Sequence, residues 1–200
     1  IPLPVAGPGT IQVQFLDGSR LQCTSYRVAS NEATLETARG KISLPVSAIH
    51  FVRFGTSTEK LDEVWRTNLE KEWKKDMLFV RKKDGDNLDY FAGVISGVDE
   101  RVRFILEGDS DETPVLREKV YAMVYVRRAA NIRKPTFRLH LTGGDVVQGT
   151  AITWDGSKMQ ATLPAGSQIA IPIDRLQSLD FSSGKVRFLS QMEPRELKYT

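Results

Sequence analysis

The chain has 200 residues, and its 28 Lys plus Arg against 25 Asp plus Glu give a formal net charge of +3. Hydrophobic residues make up 40% and aromatic residues 8%, which excludes a disordered, collagen-like or membrane-spanning chain. One Cys and two His cannot form an internal disulfide or a structural zinc site, so a packed core must stabilise the fold. Residues 1–5 lack a signal segment and no apolar stretch approaches roughly 20 residues, so we expect no membrane span.

The first predicted unit, repeat 1, covers residues 9–55. It opens with a short alternating strand, an Asp17-Gly18 turn and a second strand. The strand that begins at Val13 returns at Leu139, 126 residues later, and Leu44-Pro45-Val46 returns as Ile171-Pro172-Ile173, 127 residues later. We therefore predict a second copy of the unit, repeat 3, over residues 131–183, with one residue inserted between the two matching blocks.

A linker helix is predicted over residues 56–76. Apolar residues at Leu61, Trp65, Leu69 and Trp73 follow the spacing of one helical face. Thr56 and Glu59 have the spacing of a capping box. We expect Trp65 and Trp73 to be packing residues rather than ligand-stacking residues.

A weaker copy, repeat 2, is predicted over residues 77–130, with its Asp84-Gly85 turn in the place of Asp17-Gly18. Each copy has about 45 to 55 residues in short strands, which is typical of a small SH3-like or Sm-like barrel. The predicted fold is mainly β: three tandem small SH3-like or Sm-like barrels with one linker α-helix, followed by a C-terminal junction segment over residues 184–200.

Basic residues cluster in the connector between repeats 2 and 3. Residues 120–140 contain no acid, and the candidate ligand-binding cations there are Arg127, Arg128, Arg133 and Lys134. They could contact phosphates, but we favour a solvated linker. Trp154 is a further candidate binding residue because its flat face could stack on a sugar or base, although packing in the core or within a hairpin is the favoured interpretation.

We predict no catalytic, metal or cofactor site. Cys23, His50 and His140 occupy unrelated strand positions, and neither His lies near a Gly-x-Ser-x-Gly turn. Cys23 aligns with Gly149 of repeat 3, which indicates a small buried or half-buried site rather than an activated thiol. The carboxylates around Asp109 and Asp111 lack the continuation of a calcium loop, since Thr113-Pro114 follows them, and are typical of a solvated hairpin tip. No phosphate-binding glycine motif is present in the sequence.

The C-terminal segment carries a resemblance. Gly184-Lys185, then Phe188-Leu189-Ser190, then Glu193-Pro194 resembles the junction that leads into an NPCBM carbohydrate-binding module in a family of secreted bacterial proteins, and residues 87–95 resemble that family's middle repeat. The resemblance implies an extracellular or cell-envelope protein whose β repeats precede a sugar-binding module. That module is absent from this chain, so none of its residues can be assigned here.

The predicted function is therefore a non-catalytic binding or scaffolding region of an exported protein, associated with carbohydrate binding by a neighbouring module. Its partner would be a protein or a glycan of unknown identity, and the sequence leaves the oligomeric state open. The alternative is nucleic-acid binding through an Sm-like barrel and the basic connector, which is disfavoured because few aromatic side chains accompany the cations. An enzyme with an unrecognised carboxylate pair is a third and weaker alternative.

Overall fold

A computed structural model describes residues 10–38, 40–83, 85, 87–126, 132–156 and 158–181. Within these residues the protein is mainly β, with a single α-helix and with antiparallel pairing between all neighbouring strands. The predicted fold class is confirmed at this level.

Repeat 1 folds into six short strands. They are β1 (Ile11–Phe15), β2 (Arg20–Cys23), β3 (Ser25–Ala29), β4 (Glu32–Thr37), β5 (Gly40–Pro45) and β6 (Ile49–Phe54). The turn after β1 forms as predicted: Gly18 has a φ of +87°, which favours glycine, and the Ser19 amide donates to the Asp17 carboxylate over 2.7 Å. A 3-10 helix, Val46–Ala48, follows β5 and leads the chain back, so that the last strand, β6, pairs with the first, β1.

The linker contains helix α1 (Glu59–Leu69). Its N-cap is Thr58, whose hydroxyl accepts a hydrogen bond from the Leu61 amide, so the predicted capping box at Thr56 and Glu59 is wrong. Trp65 is fully buried, as predicted for a packing residue, and lies against the rings of Phe51 and Phe79. Trp73 is half-buried and lies beyond the end of the helix.

Repeat 2 has the same order of pairing as repeat 1. Its strands are β7 (Asp76–Arg81), β8 (Leu88–Val98), β9 (Arg101–Leu106), β10 (Glu112–Leu116) and, after a 3-10 helix at Arg117–Lys119, β11 (Val120–Val124). Again the last strand pairs with the first, and β8 is one long strand in the place of β2 and β3. The segment between β9 and β10 is the exposed hairpin tip that the sequence predicted.

Repeat 3 follows the plan a third time. Its strands are β12 (Phe137–Leu141), β13 (Val146–Gly149), β14 (Ala151–Trp154), β15 (Lys158–Thr162), β16 (Gln168–Pro172) and, after a 3-10 helix at Ile173–Arg175, β17 (Leu176–Asp180). The residue opposite the start of the first strand is small in all three repeats: Cys23 faces Ile11, Gly93 faces Asp76 and Gly149 faces Phe137. These pairs align the equivalent positions of the three repeats.

Gly93→Ala should destabilise the protein by about 2 kcal/mol, because a Cβ there would lie 2.1 Å from the Ile105 carbonyl oxygen, which cannot move without disturbing the β8–β9 ladder. Urea unfolding followed by circular dichroism measures the effect. Gly97→Ala, in the same strand, is the matched control: its Cβ would meet only the end of the flexible Arg103 side chain, so its effect should stay below about 1 kcal/mol. Equal losses in both variants would contradict the steric explanation.

The strands form an open path. The larger sheet runs β17-β12-β13-β2-β1-β6-β11-β7-β8-β3-β4-β5, β9 and β10 branch from β8, and β14-β15-β16 form a separate sheet. No barrel closes among the described residues, so the predicted count of three barrels is not confirmed. The reason lies in β6: one edge pairs with β1 and the other with β11 of repeat 2, which leaves no edge for β5.

The three repeats share one hydrophobic core. Buried side chains from β1 through β16 form a single cluster, and a second cluster surrounds Trp65 under helix α1. Small β units bury too little surface to be stable alone, so the shared core explains why they pack together.

Candidate interaction surface

Repeats 1 and 2 meet through equivalent residues. Val52 and Met123 are each the fourth residue after a 3-10 helix, and they pair with each other where β6 meets β11. Val28 and Val98 are each the fifth residue after the small residue of the second strand, and they also pair with each other, where β3 meets β8. Because like pairs with like at two places, the junction has a local two-fold axis.

The side chains at this junction are buried. Val28, Val98, Val52 and Met123 are at most 3% exposed. The Tyr26 hydroxyl donates a hydrogen bond to the Tyr125 hydroxyl over 3.0 Å, so the polar groups that enter the junction are paired there. The junction therefore combines strand pairing with apolar burial.

Repeats 1 and 3 meet by a second two-fold pairing, through β2 and β13. Arg20 pairs with Val146, its equivalent 126 residues later. The backbone N–H of Gln148 donates to the Ser19 hydroxyl, and the backbone N–H of Gln22 donates to the Asp145 carboxylate, each over 2.8 Å. Ser19 and Asp145 are equivalent, as are Gln22 and Gln148, so the two hydrogen bonds are reciprocal. Residues that the sequence repeat makes equivalent therefore contact each other where repeats 1 and 3 meet.

At the corresponding edge of repeat 2, two side chains of the segment after α1 pack against Tyr90, which stays 50% exposed. Tyr90 is the equivalent of Arg20 and Val146, since it lies three residues before the small residue of its strand. The Trp73 ring packs 5.7 Å from the Tyr90 ring, and the Lys71 ammonium lies 5.3 Å from its centroid. The linker therefore occupies a position that another repeat would otherwise take.

Repeat 3 leaves two edges open. Among the described residues β17 pairs only with β12, and β14 pairs only with β15. Trp154, equivalent to Val28 and Val98, is 62% exposed, and Phe181, equivalent to the buried Phe54 and Tyr125, is 56% exposed. Leu179, equivalent to Val52 and Met123, is half-buried. We call Trp154, Leu179 and Phe181 the repeat-3 face.

Sequence reasoning found only one member of this face. The ring of Trp154 is 62% exposed and so does not lie in the core, and its role in binding stays a prediction. Leu179 and Phe181 were missed, although the alignment of 178–181 with the closing strand of repeat 1 carried the signal. An apolar position that recurs in all repeats but is covered in only two of them cannot be recognised before the pairing of strands is known.

The structure describes only part of the basic connector. Arg133 and Lys134 are exposed, and the Arg133 amide donates to the Pro164 carbonyl over 3.1 Å. Arg127 and Arg128 lie outside the described residues. A joint role of these four cations in binding stays a prediction.

A buried polar network fixes helix α1 to the sheet. The Arg53 guanidinium, 1% exposed, donates to the Asp62 carboxylate over 2.5 Å and to the side-chain amide oxygen of Gln12 over 2.6 Å. The Tyr121 hydroxyl bonds to Ser57 over 2.7 Å, and burial raises the pKa of Tyr121. These contacts pin the start of α1 against β6 and β11, and the raised pKa leaves Tyr121 neutral, so the network acts as a structural clamp.

The candidate nucleophile and bases do not form a catalytic group. Cys23 is buried, and burial, with a smaller contribution from Asp145, raises the pKa of its thiol to about 12. His50 is half-buried, and burial lowers its pKa. His140 is also half-buried and lies in β12 between the buried Leu139 and Leu141. Among the described residues, neither imidazole forms a hydrogen bond with a Ser hydroxyl or a thiol.

The Cys23 thiol should be almost inert in the folded protein. With a pKa of about 12, roughly one thiol in ten thousand is ionised at pH 8. Reaction with 5,5′-dithiobis(2-nitrobenzoate) at pH 8 should therefore be slow in buffer and fast in guanidinium chloride, where the thiol regains a pKa of about 8.5. Equal rates in the two solvents would show that the site is open.

The described residues hold no group of three His, Cys, Asp or Glu side chains placed to bind a metal ion. They also contain no helix with the length and apolar character needed to span a membrane.

Comparison of the chain with known protein families, with curated proteins and with solved structures found no match. The NPCBM resemblance, whose junction residues lie outside the described part of the chain, stays a prediction. The candidate surface therefore depends on the geometry alone.

Proposed function

We propose that this chain is a non-catalytic binding or scaffolding region, made of three SH3-like or Sm-like repeats, that binds a partner through the repeat-3 face. One observation carries the proposal. Trp154 and Phe181 are more than half exposed, although their counterparts in repeats 1 and 2 are buried where repeats meet. Large exposed apolar side chains beside unpaired strand edges are typical of an interaction site.

The environment of the polar groups also supports a non-catalytic role. The buried Arg53 is paired with the half-buried Asp62, and the buried Asp76 carboxylate accepts the Ile95 and Val126 amides. A general acid or base needs a proton that can move to a substrate, and these groups are instead committed to the packing of repeats and helix.

The setting that we propose follows the NPCBM resemblance. The chain would belong to an exported or envelope protein and would hold a neighbouring carbohydrate-binding module in place. In this arrangement the repeats supply the scaffold, and sugar recognition belongs to the module.

Enzyme assays test the non-catalytic part. The chain is incubated with chromogenic glycosides and esters, and we expect no turnover above buffer. Turnover that disappears on changing one carboxylate or one Ser would overturn the proposal, because it would show a carboxylate pair or nucleophile at work.

Two binding measurements test the ligand class. A panel of immobilised glycans should retain none of this chain, and labelled RNA should not bind at low salt, where phosphate contacts are strongest. Salt-sensitive RNA binding that is lost when Arg133 and Lys134 are both changed to Ala would favour the nucleic-acid alternative. Glycan binding lost in Trp154→Ala would instead assign the exposed indole to a sugar.

A further inference from the structure

We infer that a second copy of this chain covers the repeat-3 face, with β17 pairing antiparallel to β17 and β14 meeting β14 across a two-fold axis. This inference deepens the proposed function, on which it rests, by naming the partner. It follows from how the repeats use their edges.

Repeat 1 has two surfaces that the other repeats use, and repeats 2 and 3 each have an equivalent of both. One comprises the last strand and the later part of the second strand, as in β6 with β3, and the other is the early part of the second strand, as in β2. Repeat 1 uses both surfaces. Repeat 2 uses the first, and on its second surface Lys71 and Trp73 pack against Tyr90, which is 50% exposed. Repeat 3 uses the second surface, through β13, so the described residues leave its first surface, the repeat-3 face, without a partner repeat or a linker segment against it.

The partner should be identical because the surface is self-complementary. Both junctions within the chain pair each residue with its own equivalent, Val52 with Met123 and Arg20 with Val146. A surface that pairs with its equivalent inside one chain can pair with itself between two chains, which gives a closed two-fold dimer. Copying the register of β6 and β11 places Leu179 opposite Leu179 of the second copy.

The side chains suit this register. Leu179 in self-pairing places Asp180 opposite Ser178 of the second copy and Gln177 opposite Phe181, so no like charges face each other directly. Trp154 stands where Val28 and Val98 meet, so the two indoles would contact each other across the axis. Pairing also satisfies the outer backbone groups of β17 that face no described strand.

The first test is the oligomeric state of the full chain, measured by analytical ultracentrifugation over a wide concentration range. We expect a reversible species of twice the mass of one chain. Trp154→Glu should weaken the dimer and raise its dissociation constant at least about tenfold. The matched control, Leu106→Glu, changes another exposed apolar strand residue, 37% exposed at the end of β9, and should leave the constant unchanged. A wild-type chain that stays monomeric at every concentration would overturn the inference.

The second test fixes the register by disulfide trapping, in a Cys23→Ser background that removes the only native thiol. Residues opposite each other in antiparallel strands have Cα atoms about 4.5 to 5.5 Å apart, which suits a disulfide. Leu179→Cys should therefore cross-link on mild oxidation. Gln177→Cys, on the same strand, should not, because the two positions would be four residues out of register, roughly 13 Å apart.

The outcomes separate this inference from the proposed function. Cross-linking at position 177 but not at 179 would overturn the proposed register, and equal, concentration-driven cross-linking at both would overturn specific pairing. A monomeric chain without enzymatic activity would refute the dimer and leave the scaffolding function standing. Turnover in the enzyme assays would refute the function whatever the oligomeric state.

Discussion

Asp62→Ala should lower the free energy of unfolding by about 3 kcal/mol. Arg53 is 1% exposed and its guanidinium contacts the Asp62 carboxylate, so removing the carboxylate leaves a buried cation without its counter-charge. We expect the low end of the usual range for broken buried pairs because the Asp62 side chain is 24% exposed, which lets water reach the site. Urea unfolding followed by far-ultraviolet circular dichroism measures the loss.

Glu59→Ala is the control for this ion pair. Glu59 lies in the same first turn of α1 but is exposed, so it shares the helix-dipole contribution of Asp62 without the buried partner. Its loss should stay below about 1 kcal/mol. The structural clamp would be refuted if both variants lost the same amount. A double variant, Arg53→Met with Asp62→Ala, should recover part of the loss, because it removes the stranded cation as well.

Trp65→Ala should have the largest effect of a single substitution proposed for this chain, a loss of about 4 kcal/mol. The side chain is fully buried, and its ring makes edge contacts with Phe51, Phe79 and Tyr121 at centroid distances of 5.2 to 6.0 Å. Truncation to Ala removes these contacts and leaves a cavity between α1 and the sheet. Thermal and urea unfolding should both show the change, with the helix losing its packing.

Two further variants test that explanation. Trp65→Phe should cost much less, because the indole N–H has no hydrogen-bond partner among the described residues and so nothing polar is lost. Trp154→Ala, which truncates an exposed tryptophan, should change the stability of the monomer by no more than about 0.5 kcal/mol. A loss at Trp154 as large as the loss at Trp65 would contradict the assignment of Trp154 to the surface.

The pairing of equivalent residues explains how the repeats can assemble with one another. A repeated unit whose edges match themselves can be assembled by duplication, since each new copy brings the surface that the previous copy needs. In this chain the junctions at Val52 and Arg20 use that property twice. The repeat-3 face is the place where the same property remains unused among the described residues.

Local patterns predicted the elements well where they depend on neighbouring residues. The turn at Asp17-Gly18, the buried Cys23 and the helix with Trp65 on its packed face were all predicted, because turn chemistry, strand alternation and helical spacing act over a few residues. The predicted N-cap is Thr56, whereas the structure has Thr58 at that position. Both threonines precede acidic residues, so only backbone geometry selects between them.

The candidate surface was predicted only in part for a different reason. Trp154 drew attention by its residue type, whereas Leu179 and Phe181 resemble ordinary core positions of a closing strand. Their exposure depends on which strand occupies the neighbouring edge, and that partner in repeat 1 comes from residues about 70 positions away. Long-range pairing of this kind leaves no local pattern in the sequence.

Periodicity and turn residues in the sequence predicted a mainly β chain with three repeats and one linker helix, because these signals encode local structure. How the repeats join depends on long-range pairing: β6 takes β11 as its second neighbour, so the sheet stays open where closed barrels were predicted. That pairing also decides which apolar residues stay outside. Burial depends on the partner across a strand edge, and hydrophobic side chains are indistinguishable in sequence until that partner is in place.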